Sequence, residues 1–170
     1  MTRPRIAFLL LGSMLPAFGQ GTPAIDSAVY LAFFREAARH ELNHAVSKVN
    51  GVPADLVSPP IQEALGLTDG EAKAVFGEAT ACGDEITALE QRDSALVFES
   101  RLRAANDEKP SDALDEKLRD VDARRVAIIM GHVEALRVSL GATRLSAMQD
   151  YIRSHQSDGV FFPSAKPKKL

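Results

Sequence analysis

The chain has 170 residues, with 20 basic and 23 acidic side chains, four histidines, one cysteine and no tryptophan. A net charge of −3, which falls to −5 without Arg3 and Arg5, argues against a nucleic-acid binder that relies on clustered positive charge. The lone cysteine excludes an internal disulfide, and with aromatics at 6% the core must be built from Ala, Leu, Val and Ile, which suits closely packed helices.

Residues 1 to 20 read MTRPRIAFLLLGSMLPAFGQ. Arg3 and Arg5 form a basic start, Ile6 to Leu15 is mostly apolar, and Ala17-Phe18-Gly19 puts small residues at the positions a signal peptidase reads. This pattern predicts a signal peptide over 1–19, cleaved after Gly19, and a periplasmic or secreted protein. Without Arg3 and Arg5 the acidic side chains are in excess by five. No later segment approaches the roughly 18 apolar residues of a membrane helix, so no transmembrane segment is expected in the mature chain. Cys82 lies too far from the cleavage site to carry a lipid anchor.

One helical domain is expected over 20–157, with no convincing strand. Its first helix spans 27–49, with Asp26 as N-cap and Asn50-Gly51 as the stop. The apolar seam of Tyr30, Phe33 and Ala37 continues by steps of three and four to His40 and His44, which puts both histidines on the packing face. A Pro-rich connector follows, where Ser58 and Pro59 can start a short helical turn. The second helix covers 68–106 and opens on a Thr68–Glu71 capping box. Its seam is Val75, Ala79, Cys82, Ile86, Leu89 and Leu96. After a turn at NDEKPSD, capped by Ser111, the third helix covers 111–140. It carries Leu114, Leu118, Val121, Ile128, His132 and Leu136 on one side and stops at Gly141. The fourth covers 142–156, with Leu145, Met148 and Ile152 on one face and His155 at its exposed end. The tail, 158–170, contains Pro, Gly and three lysines and is expected to be flexible.

A tight turn between two long helices forces them antiparallel, so residues equidistant from it meet. His132 then falls opposite a position near 85, with Glu78, Cys82 and Glu85 within about a turn. The second helix cannot bury its seam alone, and a homodimer is expected.

The stretch HELNH, residues 40 to 44, matches H-E-x-x-H, in which histidines one turn apart bind zinc and the glutamate activates water. Ser47 and Asn50 stand where the extended protease motif needs Gly and His, and there is no room upstream for a substrate-aligning sheet. A peptidase therefore ranks third, and no enzyme activity is expected. Noncatalytic binding of Zn, Ni, Co or Cu needs fewer coincidences: His40 and His44 supply one helix face, His132 a third ligand, and Glu78 or Cys82 the remainder. Cys82 reads first as a buried space-filling thiol and only second as a ligand.

The histidine pair, LGLTDGEA, RLRAAND, HVEAL and LGATRLSAMQDYI together resemble the periplasmic heavy-metal resistance and sensor proteins, over most of residues 27 to 157. The resemblance implies a hooked antiparallel four-helix hairpin, the fold also used by the LTxxQ periplasmic stress chaperones. It implies His40, His44 and His132 as ligands, with a membrane regulatory partner to read the signal. Leu136 stands where the sensors have methionine, and Glu78 lies one position from their second-helix glutamate. Relative to the chaperones, Leu67 and Thr68 are kept and Glu71 replaces Gln. Metal binding or sensing is thus the first expectation, and an ATP-independent holdase for unfolded client proteins is the second.

Overall fold

The computed structural model describes residues 25–53, 60–109, 111–157 and 161–162. The expected signal peptide, the Pro-rich connector at 54–59 and most of the tail lie outside the described residues.

Helix α1, Ser27–Val49, starts where the Asp26 carboxylate accepts from the Ala28 amide at 2.7 Å. Its first half buries Tyr30, Phe33, Phe34 and Ala37. Its second half leaves the core: Leu42, Val46 and Val49 are exposed and His44 is only half-buried, so the predicted seam ends at His40. One short turn, α2, Ile61–Leu65, follows. It begins after Pro60, later than Ser58-Pro59 suggests, and Gly66 ends it at φ +62°.

Helix α3, Asp69–Arg92, carries the capping box. The Glu71 carboxylate accepts from the Thr68 amide at 2.7 Å, and the Thr68 hydroxyl accepts from the Glu71 amide at 3.4 Å. Two backbone donors of the first turn are satisfied in this way. The buried stripe of Val75, Ala79, Cys82, Ile86 and Leu89 is the one its spacing predicts.

The expected continuous helix over 68–106 is two helices. Asp93, at φ −100° and ψ 12°, ends α3 and starts α4, Ser94–Ala105. Its carboxylate lies 3.4 Å from Arg92 and 3.3 Å from Arg124, which anchors the break to the next helix. Beyond it nothing on α4 is buried, and Leu96 is only half-covered.

Helix α5, Asp112–His155, is capped by Ser111 and kinked at Gly141, whose φ of 75° and ψ of 165° separate a long arm from a short C-terminal one. The break falls where the sequence puts it. The buried face of the long arm runs through Leu114, Val121, Ile129, Val133, Leu136 and Leu140, while Ile128 and His132 sit half-buried beside it. The seam drifts because α5 packs against both α3 and α1 and so needs a wider apolar face than one partner requires. α5 also holds an 18-residue stretch of mean hydropathy 1.3, of which 22% is buried. By length and composition it passes as a membrane span, contrary to the expectation that no later segment approaches one.

Polar and charged side-chain pairs order the helices. Glu71 pairs with Arg144, Glu78 with His132, Glu90 with Arg125 and Asp93 with Arg124. Partner numbers fall along α5 as they rise along α3, so the two helices pass antiparallel. The core lies where α1, α3 and α5 meet. Among the described residues the protein is all-α.

Two residues of the expected flexible tail belong to this core. Phe161 and Phe162 are 2% and 6% exposed and pack on Phe33 at 5.6 and 5.8 Å between ring centroids. Burial of two large apolar rings favours this docking.

Candidate functional site

The five side chains expected to ligate a metal do not converge. His40 is buried and stacks on Phe162, with ring centroids 4.7 Å apart and planes 19° from parallel. His44, one turn on, lies where α1 leaves the core. Glu41, the central acid of the H-E-x-x-H pattern, accepts from the Ile61 amide at 3.4 Å and so helps cap the short α2. Among the described residues no three His, Cys, Asp or Glu side chains are arranged to hold one ion.

Cys82 has no exposed surface. Burial, reinforced by the negative charges of Glu85 and Glu78 and opposed by Arg35, pushes its thiol up to about 11. A metal ligand must be a thiolate, so this environment disfavours ligation.

His132 does meet carboxylates, at the level that equal distance from the turn predicts. Its Nδ1 is 2.7 Å from Glu78 Oε2, and its Nε2 is 3.4 Å from Glu85 Oε1. The ring is only 12% exposed at its side chain, whereas Glu85 is 57% exposed. Ala127, Ile128, Gly131 and Ala135 complete an open groove of about 480 Å³ around the three. Small side chains on this face of α5 leave the imidazole edge accessible. Two acids thus lie at opposite edges of one imidazole. With Nδ1–H donating to Glu78, Nε2 and Glu85 are left as a pair of donors to a cation. Glu85, which the equal distance from the turn already places beside His132, is absent from the sequence-derived ligand set; its spacing from Glu78, seven residues along one helix face, argues for including it.

A second constellation escapes sequence reasoning. Glu36, half-buried on α1, accepts from the amides of both Phe161 and Phe162 at 3.1 Å. The Tyr151 hydroxyl on the short arm of α5 donates to the Phe161 carbonyl. Burial and the nearby Glu36 charge raise the Tyr151 phenol above its ordinary range, which keeps it a donor. An aromatic pair within a polar tail, in a chain this poor in aromatics, is the available sequence signal.

A second groove, also about 480 Å³, is lined by Glu90, Ser94, Val97, Phe98, Arg101 and Arg125. Phe98 and Leu102 on α4 are 68% and 52% exposed.

No family model, curated protein or solved structure matches the chain.

Proposed function

We propose that this chain is an exported, noncatalytic polypeptide-binding protein, a hooked helical hairpin that holds apolar segments of unfolded or partner chains. The observation that carries the reading is α4: twelve residues with none buried, and with Phe98 and Leu102 turned to solvent beside a groove flanked by Arg101, Arg125 and Glu90. An exposed apolar ridge with a charged rim suits weak, sequence-tolerant capture of apolar chain segments. Val126, Met130 and Val138 add exposed apolar surface on α5.

Metal binding is the second reading, favoured by His132. Ligands bound at roughly 2.0–2.1 Å to a tetrahedral ion stand about 3.3 Å apart. The 3.4 Å between His132 Nε2 and Glu85 Oε1 is near that spacing and beyond ordinary hydrogen-bond range. Glu78 would orient the ring as second-layer carboxylates do in zinc sites. Two donors give modest affinity, with water or a second subunit supplying the rest.

One experiment separates the two. The purified protein is added to a thermally aggregating client with and without a chelator, alongside Phe98→Glu and His132→Ala variants. The expected result is protection that survives chelation and His132→Ala but drops at least twofold in Phe98→Glu. Protection that disappears on chelation and returns with zinc would give the metal reading precedence.

A further inference from the structure

The chain's own Phe161-Phe162 is bound as a peptide is bound. Two successive backbone amides converge on one carboxylate, Glu36, at 3.1 Å each. The amides of a straight strand alternate in direction, so this contact selects a bent backbone whose neighbouring N–H groups form an anion-binding nest. The preceding carbonyl edge is read as well, since Phe161 accepts from the Tyr151 hydroxyl. The side chains are read by ring surfaces: Phe161 meets Phe33 edge-on at 90°, and Phe162 lies flat on His40. Pro163 follows in sequence and restricts Phe162 to extended or polyproline-like conformations, which lowers the entropy lost on docking.

We propose that the slot formed by Phe33, Glu36, His40 and Tyr151 is a peptide-binding site for a bent segment carrying two consecutive aromatic residues, and that Phe161-Phe162 is its tethered resident ligand. Every polar contact goes to backbone atoms, so the slot accepts any segment with this backbone shape and two rings, including one from another chain. The resident is joined to α5 by a few residues, which gives it an effective concentration on the order of millimolar. An incoming peptide must outcompete it. Exposure of an aromatic pair at high local density, as in an unfolded client, is then what opens the slot. This rests on the polypeptide-binding reading, and names the segment class that such a protein would prefer.

The test uses the full chain and a fluorescent, end-blocked peptide of sequence SDGVFFPSA, followed by anisotropy. The Phe161→Ala/Phe162→Ala variant is expected to bind the peptide at least tenfold more tightly than the wild type, and adding Glu36→Gln should weaken that binding at least fivefold. A peptide with both Phe replaced by Ala should not bind. Equal affinity of wild type and double variant, or no binding to the double variant below about 1 mM, the effective concentration set by the tether, overturns the proposal. Hydrogen exchange of the wild type guards against a double variant that fails to fold. The Phe161 and Phe162 amides should exchange at least tenfold faster than those of Phe33 and Phe34. Equal rates would mean that the pair leaves only when the whole core opens, and the proposal falls. Client protection without peptide binding refutes the slot alone, whereas peptide binding without client protection refutes the holdase reading alone.

Discussion

Cys82 sits on the buried stripe of α3 with Glu78 one turn before it and Glu85 one turn after. Loss of hydration disfavours the thiolate most, and the two carboxylates add to the effect, so the folded thiol titrates at about 11 against 9.0 for an unperturbed one. The direction of the stability effect follows. Below the unfolded value both states keep the proton and Cys82 contributes nothing to pH dependence. As the pH rises above it, the unfolded chain loses its proton first and is favoured, so stability declines up to the folded value. Between roughly pH 8 and pH 10 the wild type is expected to lose about 1 kcal/mol more than Cys82→Ala in urea unfolding. Equal losses in the two proteins would mean that the thiol is not desolvated. The same burial explains why a cysteine one turn from Glu78 reads as a ligand in sequence and serves as packing in the fold. Burial depends on what covers α3, and α1 covers it.

At the scale of elements, two glycines of α5 should respond oppositely to the same substitution. Gly141 holds φ 75° and ψ 165°, a region essentially closed to other residues, although a Cβ there would meet nothing within 4 Å. Gly141→Ala is therefore expected to cost about 1–3 kcal/mol through backbone strain alone. Gly131, mid-helix, exposed and equally free of neighbours, should gain up to about 1 kcal/mol as Gly131→Ala, because alanine restricts the unfolded chain and suits a helix. Thermal or urea unfolding of the pair measures both signs. Gly141, the Asp26 and Ser111 caps and the Thr68–Glu71 box were legible in the sequence because each is local chemistry with a fixed offset. The level of His132 against Glu78 and Glu85 was legible too, since antiparallel helices joined by a short turn fix it. The break at Asp93 was not, because Leu89 to Arg92 before it favour helix and an interhelical pair with Arg124 stabilises it. Nor was the drift from Ile128 and His132 to Ile129 and Val133, which depends on a second packing partner. The docking of Phe161 and Phe162 was hidden for the same reason: Glu36 and Tyr151 are unremarkable until the fold places them together.

At the scale of the whole molecule, the helices are unequal. α1, α3 and α5 share one core, whereas α4 touches α5 without burying a residue. An isolated helix of this length is marginal in water, since helical stability in proteins comes chiefly from packing an apolar face. α4 has such a face, with Phe98 and Leu102 one turn apart, but it is uncovered. A second copy of the chain is one surface able to cover it, as in the homodimer expected from sequence. Amide exchange along α4 should then depend on protein concentration. At about 1 μM, α4 should exchange orders of magnitude faster than α3 or the long arm of α5, because its opening exposes little new apolar surface. At hundreds of micromolar its protection should rise by at least tenfold while that of α3 stays constant, as mass action favours the covered form. Phe98→Glu should abolish the concentration dependence and leave the core untouched, because this ring contributes nothing to the α1–α3–α5 packing. If α4 is as protected as α3 at every concentration, its stability comes from within the single chain and the ridge is not an interface between copies. If it stays unprotected at every concentration, self-association does not cover it and the homodimer expectation fails at this face.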